Sequence, residues 1–308
     1  MVLNYSNYID KYNCLSSRIL DVKLIGKLPK RGSDSVCGLT ILNRKLYVLH
    51  YADEEQIDVF SIPTDQDVDR PADFELYDTV PLPAKKDDIR DMTSCAVNKC
   101  LYVSNKGEKC IHKIAVTAED EHRVCDPWHI KKRPNGLSVN RASCNLLVTC
   151  RDDLCLIEVD PRGKTIREIK LLESFMSPLH AFQLDDGAFV VSHGDMRSPE
   201  HRVCKMTRSG TVVKVTESYG GQKGSDQGQL NEPCHMALSH TGGFVFVADF
   251  NNCRLVMLDS SLRFVRDIVK STVNEVRYQR PCLDDQSQYL YVGDFEGDVT
   301  IFRLTWNP

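Results

Sequence analysis

The side chains best suited to chemistry in this 308-residue chain are its thirteen cysteines and nine histidines. Thiolate and imidazole, joined by carboxylate, are natural donors for zinc, and a cysteine beside a histidine is the pairing that activates a thiol nucleophile. The chain holds no C-x-x-C or other short metal spacing, no G-x-S-x-G nucleophile elbow and no phosphate-cradling G-x-x-x-x-G-K. A metal or catalytic site would therefore have to be assembled from distant segments.

The bulk composition narrows the classes. An apolar fraction of 42% with 27% charged residues is enough to bury a sizeable core, and the formal charge of −4 argues against wholesale binding to nucleic acid or anionic membrane. A local basic patch stays compatible with it. The segment Met1 to Asp10 lacks a basic region followed by an apolar stretch, so no signal peptide is visible. No apolar run approaches the roughly 20 residues that span a bilayer. With an odd number of cysteines and no export signal, the expectation is reduced thiols in the cytosol or nucleus, cytoplasmic being preferred, and the alternative is an excised domain of a secreted protein.

A repeat organises the chain. The clearest copy runs Glu232-Pro233-Cys234-His235-Met236-Ala237-Leu238, Thr241-Gly242-Gly243, Phe244 to Asp249, Arg254 to Asp259 and Arg263 to Val269. That is four short β-prone runs separated by turn residues. A good second copy begins at Arg133-Pro134-Asn135-Gly136, and weaker ones centre on Tyr47-Val48, Tyr102-Val103, Val190-Val191 and Tyr291-Val292. The valines closing each second strand, Val48, Val103, Val148, Val191, Val247 and Val292, are spaced by 55, 45, 43, 56 and 45 residues. Six four-stranded units of this length predict an all-β, six-bladed β-propeller with antiparallel blades. The last unit lacks its outer strand, and Ile19 to Leu28 has the character to supply it and close the ring. One domain over 18–308 is expected, with 1–17 as a loosely held leader.

The fifth unit carries a resemblance. Pro233 to Asp259, preceded by Tyr219-Gly220-Gly221 and Gly224-Ser225-Asp226-Gln227-Gly228-Gln229-Leu230, resembles an NHL repeat with its glycine-rich lead-in. Cys253, between Asn252 and Arg254, interrupts the family's V-A-D-x-x-N-N-R ending. The third unit fits well and the others by register. The chain is thus similar to the C-terminal propellers of TRIM-NHL proteins, which bind RNA or protein partners behind a RING ubiquitin-ligase module. The resemblance implies a link to ubiquitin-ligase pathways through a partner or a RING module that this chain does not contain.

In such a ring the first strand of each unit starts, and the second ends, on one face. The residues expected around that channel mouth are Cys37 with His50, Thr93 and Ser94 with Asn105, Asn135 with Cys150, His180 with His193, Cys234 and His235 with Asp249, and Cys282 with Asp294. Two readings apply. Cysteines pack the narrow channel while histidines and aspartates bond backbone at blade corners, or some of them ligate zinc. The first is preferred and no cofactor is expected; should a metal bind, His180, Cys234, His235 and Cys282 are its candidates. Two enzyme families of this fold frame the alternative. This chain's histidines fall one place later than the zinc histidines of amidating lyases. Pro134-Asn135-Gly136-Leu137 matches a gluconolactonase motif, but the early Glu-Gly-Pro segment is missing.

Charge on the same face is mixed. Loop cations such as Lys85, Lys86, Arg90, Arg277 and Arg280 are expected to be offset by loop acids that include Asp87, Asp88, Asp91 and Glu275. In units two and three, Lys106, Lys109, Lys131, Lys132, Arg133 and Arg151 should gather near Trp128, forming a basic patch with an aromatic on which a base could stack. The overall expectation is a non-enzymatic platform, monomeric as a domain. It would bind a protein or peptide segment, with single-stranded or stem-loop RNA as the other ligand and a metal-dependent lyase or hydrolase as the rival.

Overall fold

The computed structural model describes residues 19–29, 35–51, 56–63, 74–82, 88–210, 212–271 and 276–306. The expected leader, and Lys85, Lys86, Asp87 and Glu275, lie outside them.

Among the described residues, the alternation of β-prone runs and turns becomes 25 strands. The first is β1 (Ile19–Lys27). Blade 1 follows as β2 (Val36–Leu42), β3 (Lys45–His50), β4 (Gln56–Ser61) and β5 (Leu76–Pro81). Blade 2 is β6 (Ile89–Cys95), β7 (Cys100–Asn105) and β8 (Cys110–Val116), with β9 (His122–Val124) and β10 (Trp128–His129) both pairing with β8. Blade 3 comprises β11 (Leu137–Val139), β12 (Leu146–Cys150), β13 (Cys155–Val159) and β14 (Thr165–Lys170). Blade 4 comprises β15 (Pro178–Gln183), β16 (Phe189–His193), β17 (Glu200–Ser209) and β18 (Val212–Gln222). Blade 5 has β19 (Pro233–Ser239), β20 (Phe244–Asp249), β21 (Arg254–Asp259) and β22 (Phe264–Lys270). Blade 6 has β23 (Tyr278–Asp284), β24 (Tyr289–Asp294) and β25 (Val299–Trp306).

Each blade is an antiparallel meander, and β1 pairs with β25 from Ile19↔Trp306 to Lys27↔Thr300. The N-terminal strand therefore completes blade 6, as the truncated last unit predicts. The chain is a closed six-bladed β-propeller.

The core is six wedges, one between each pair of neighbouring blades. Val48 of blade 1 packs with Tyr291 and Ile301 of blade 6, and Phe246 of blade 5 with Leu290 of blade 6. Because both faces of every blade are covered by a neighbour, the second strands are buried throughout, with apolar centres and polar residues near their ends. Every residue of β3, β7, β12, β16, β20 and β24 is buried. Cys95, Cys100, Cys110, Cys125, Cys144, Cys150, Cys155, Cys204, Cys234 and Cys282 are free thiols. No helix among these residues is long and apolar enough to cross a membrane.

Candidate functional site at the channel centre

Every inner strand makes the same irregular step near its start. The pairing of β2, β6, β15, β19 and β23 with their neighbours slips by one residue between Val36 and Gly38, Ile89 and Asp91, Pro178 and His180, Pro233 and His235, and Tyr278 and Arg280. In blade 3, Asn135 N donates to Thr149 O while Thr149 N donates to Gly136 O, which is the same two-against-one step. A bulge of this kind re-aims the side chain that follows it. The six residues so placed are Gly38, Asp91, Gly136, His180, His235 and Arg280.

These six positions meet across the channel. His235 Nε2, from blade 5, lies 3.2 Å from Asp91 Oδ2 on the opposite blade 2. Asp91 also accepts from Met92 N at 2.9 Å and from Leu137 N of blade 3 at 2.7 Å. His180 Nε2 donates to Leu137 O at 3.1 Å, and its ring stacks on His235 with centroids 3.7 Å apart. Arg280 reaches over from blade 6. Its Nε donates to Cys37 O at 2.7 Å and lies 3.7 Å from Asp91 Oδ1, and its Nη2 donates to Arg90 O at 3.0 Å. All six blades contribute to one network. Asp91, His180 and His235 keep 1%, 3% and 8% of their surface exposed.

The two glycines leave room for it. A Cβ on Gly38 would sit 2.7 Å from Met92 Cβ, and one on Gly136 would sit 2.5 Å from Leu179 O.

The charge states follow from burial and pairing. Burial pushes His180 down to about 3, aided by His235. Burial also lowers His235, against the pull of Asp91. Burial works to raise Asp91, but His235 and Arg280 outweigh it and hold the carboxyl below its ordinary range. The network is therefore one carboxylate, one guanidinium and two neutral imidazoles, each of which donates through Nε2–H.

Asp91, His180 and His235 each bring a donor atom to within 4.8 Å of the others, which is close enough to consider a metal. Their surroundings fit one poorly. The carboxylate already accepts two backbone N–H groups and one imidazole. Ligation through Nε2 would move each ring proton to Nδ1, and both Nδ1 atoms are buried with no hydrogen-bond partner. A ligating histidine normally donates its other N–H to an acceptor. The Arg280 cation beside Asp91 adds repulsion. The two cysteines of the expected metal set stay outside this group. Cys234 Sγ donates to Gln279 O at 3.4 Å, with burial pushing it up to about 12. Cys282 is raised to about 12 by burial and sits two residues beyond Arg280 along β23.

The other residues expected at the mouth bond within their own blade or to a neighbouring one. The second-strand ends turn to their own blade's third strand or to the corner before it. His50 lies 3.8 Å from Asp58, Asn105 3.2 Å from His112, and His193 3.5 Å from Cys204. Cys150 pairs in register with Cys155, Asp249 accepts from Arg254 at 2.7 Å, and Asp294 accepts from the backbone of Glu296 and Asp298. Asn135 Nδ2 ties blade 3 to Leu179 O of blade 4. Thr93 and Ser94 lie deeper than the mouth, Ser94 donating to Ile41 O of blade 1. A second group, Glu108, Cys110 and His112, gathers at the blade 2 corner. Burial raises Cys110 to about 11 and lowers His112, so the pair rests as thiol and neutral imidazole rather than as an activated thiolate.

Asp91 and Arg280 are the residues that sequence reasoning misplaced, since it assigned both to solvent loops. A signal was present. They stand twelve residues ahead of Val103 and Val292, as Gly136 and His235 stand ahead of Val148 and Val247.

Within the expected basic patch, four of the six cations are paired with carboxylates. Lys106 pairs with Asp152 at 3.0 Å, Lys132 with Asp153 at 3.2 Å and Arg133 with Asp152 at 3.6 Å, while Arg151 pairs with Asp195. Lys109 and Lys131 are exposed. Trp128 lies on an outer strand, tilted against Tyr102 at 5.3 Å and with Lys113 5.3 Å over its ring. The backbone at Gly163 presses on it so closely that a Cβ there would fall 2.7 Å from the indole. The ring packs between blades 2 and 3 instead of standing clear for a base.

No family model and no curated protein matches this chain. Solved structures do. The virginiamycin B lyase of Staphylococcus aureus superposes with a TM-score of 0.63 at 11% identity, covering 92% of this chain and 100% of that one. Hydrazine synthase of Kuenenia stuttgartiensis gives 0.61 at 12%, covering 89% and 97%. The Cps50 (Swd1) β-propeller domain of Myceliophteria thermophila gives 0.55 at 14%, covering 86% and 82%. At such identities the likeness is one of fold. Two of these neighbours are named as enzymes and the third only as a β-propeller domain, so fold does not decide between catalysis and recognition.

Proposed function

We propose that this chain is an NHL-type recognition propeller that binds a protein or peptide segment on its channel-mouth face, in the cytoplasm and without a resident metal. The observation that carries this reading is the closure of the channel centre on itself. In a propeller enzyme, polar groups at the channel would be held ready for substrate or metal. Here the Asp91 carboxylate and the Arg280 guanidinium are engaged internally, and both imidazole N–H groups already have acceptors.

Protein is favoured over RNA because the basic patch is balanced by Asp152, Asp153 and Asp195. The net charge of −4 adds no long-range attraction for a polyanion. As the TRIM-NHL resemblance implies, a ubiquitin-ligase role would come through a partner. The test is selection of a displayed random twelve-residue peptide library on the immobilised chain at physiological salt, run beside a random RNA pool. Enriched peptides and unselected RNA are expected. Sequence-selected RNA with no enriched peptide would overturn the reading.

A further inference from the structure

The position after each second strand forms a second ring, at the mouth. Reading round the blades, it holds Tyr51, Lys106, Arg151, Gly194, Phe250 and Phe295. Blades 2 and 3 present cations tied to acids, whereas blades 5, 6 and 1 present aromatics. Phe250 and Phe295 meet edge to face with centroids 5.8 Å apart. Arg277 lies over both, 4.2 Å from the Phe295 ring and 5.4 Å from Phe250.

The mounting is rigid. Phe295 N donates to Arg277 O at 3.0 Å, and Phe250 N donates to Glu232 O at 3.2 Å. Each phenylalanine follows an aspartate, Asp249 or Asp294, that is buried in the blade corner. Phe295 is nonetheless 43% exposed. A large apolar ring held open on a loop is a feature that marks contact surfaces.

We propose that Phe250, Arg277 and Phe295 seat a short peptide segment that pairs one carboxylate with a bulky apolar side chain; this rests on the recognition reading and names its partner chemistry. Arg277 is the carboxylate anchor. Its acidic neighbour, Glu296, lies 3.8 Å away and is 62% exposed, so it is a weak surface pair that a bidentate carboxylate displaces. The edge-to-face phenylalanines take the apolar side chain. An RNA strand suits the site less well. Arg277 already covers a face of Phe295, and the exposed Glu296 beside it repels a run of phosphates while tolerating a single carboxylate.

The test uses the displayed twelve-residue library on the full chain and on Arg277→Gln, Phe295→Ser and, as a control, Arg133→Ala. All four proteins are first matched by thermal unfolding. Peptides with Asp or Glu within two positions of Phe, Leu, Met or Trp should enrich. Their synthetic forms should bind the Gln and Ser variants about tenfold more weakly or worse and the control unchanged. Enriched peptides without that pairing, or insensitive to both variants, would overturn this site and leave the mouth-face platform standing. A library that yields nothing would overturn both. RNA retained by the wild type and lost in Arg277→Gln would replace the peptide with RNA.

Discussion

Asp91 of blade 2 and His235 of blade 5 stand on opposite sides of the propeller, and the 3.2 Å contact between their side chains crosses the channel. The blades are thus joined at the centre as well as by their neighbouring wedges. Asp91 also holds two backbone N–H groups and faces Arg280. Asp91→Ala therefore leaves a largely buried guanidinium without its carboxylate and should cost about 3 kcal/mol. Urea denaturation measures it. A cost below about 1 kcal/mol would remove Asp91 from its structural role.

Gly136→Ala tests the space the network needs. The added methyl would meet the Leu179 carbonyl, which belongs to the backbone of blade 4 and cannot swing away. A loss of about 1–3 kcal/mol is expected from this overpacking, read as a lower urea midpoint at unchanged slope.

Much of this architecture was legible in the sequence. The six second-strand valines marked the blades because those strands are covered on both faces and keep apolar centres. The missing outer strand of blade 6 pointed to β1. The channel centre was harder. Prolines head the inner strands at Pro134, Pro178 and Pro233, but Pro281 of blade 6 sits inside β23, one place beyond Arg280. The position expected at the mouth in blade 6, Cys282, lies two residues beyond Arg280, which the structure places at the centre. Blade 2 has no proline there, and charged Asp91 reads as a loop residue until its partners from other blades are known. The neutralised patch was missed for a related reason: Asp152 and Asp153 were not set against the cations that the ring brings to them.

Acid should weaken the fold. Burial depresses His180 to about 3 and His193 to about 4, and lowers His235 as well. In the unfolded chain these groups take up protons near pH 6.5, while the folded chain does not. Stability is thus fully present above about 6.5 and falls as pH drops toward the folded values, by up to about 1.4 kcal/mol per pH unit for each group. Asp91, held below its ordinary range, adds a further loss below about pH 4. Urea midpoints between pH 7.5 and 4.5 should decline, with a shallower slope in His180→Gln. A flat profile would contradict the neutral, buried imidazoles.

Releasing the paired cations should raise the affinity of this face for polyanions. Asp152→Asn with Asp153→Asn frees Lys106, Lys132 and Arg133. Filter binding of a random RNA pool at low salt should then tighten, and the dependence of log affinity on log salt should steepen by about one for each cation engaged. Unchanged binding would mean that these ion pairs do not govern the charge of the face.

The account depends most on the channel centre being complete without a metal, and metal content tests that directly. The chain, purified without chelator, would be assayed for bound metal and then titrated with zinc while thermal unfolding is followed. Well under one equivalent of retained metal, with an unfolding temperature that zinc does not raise, is the predicted result. One tightly held equivalent that is lost in His235→Ala would contradict it, and would turn Asp91, His180 and His235 from a structural network into a metal centre.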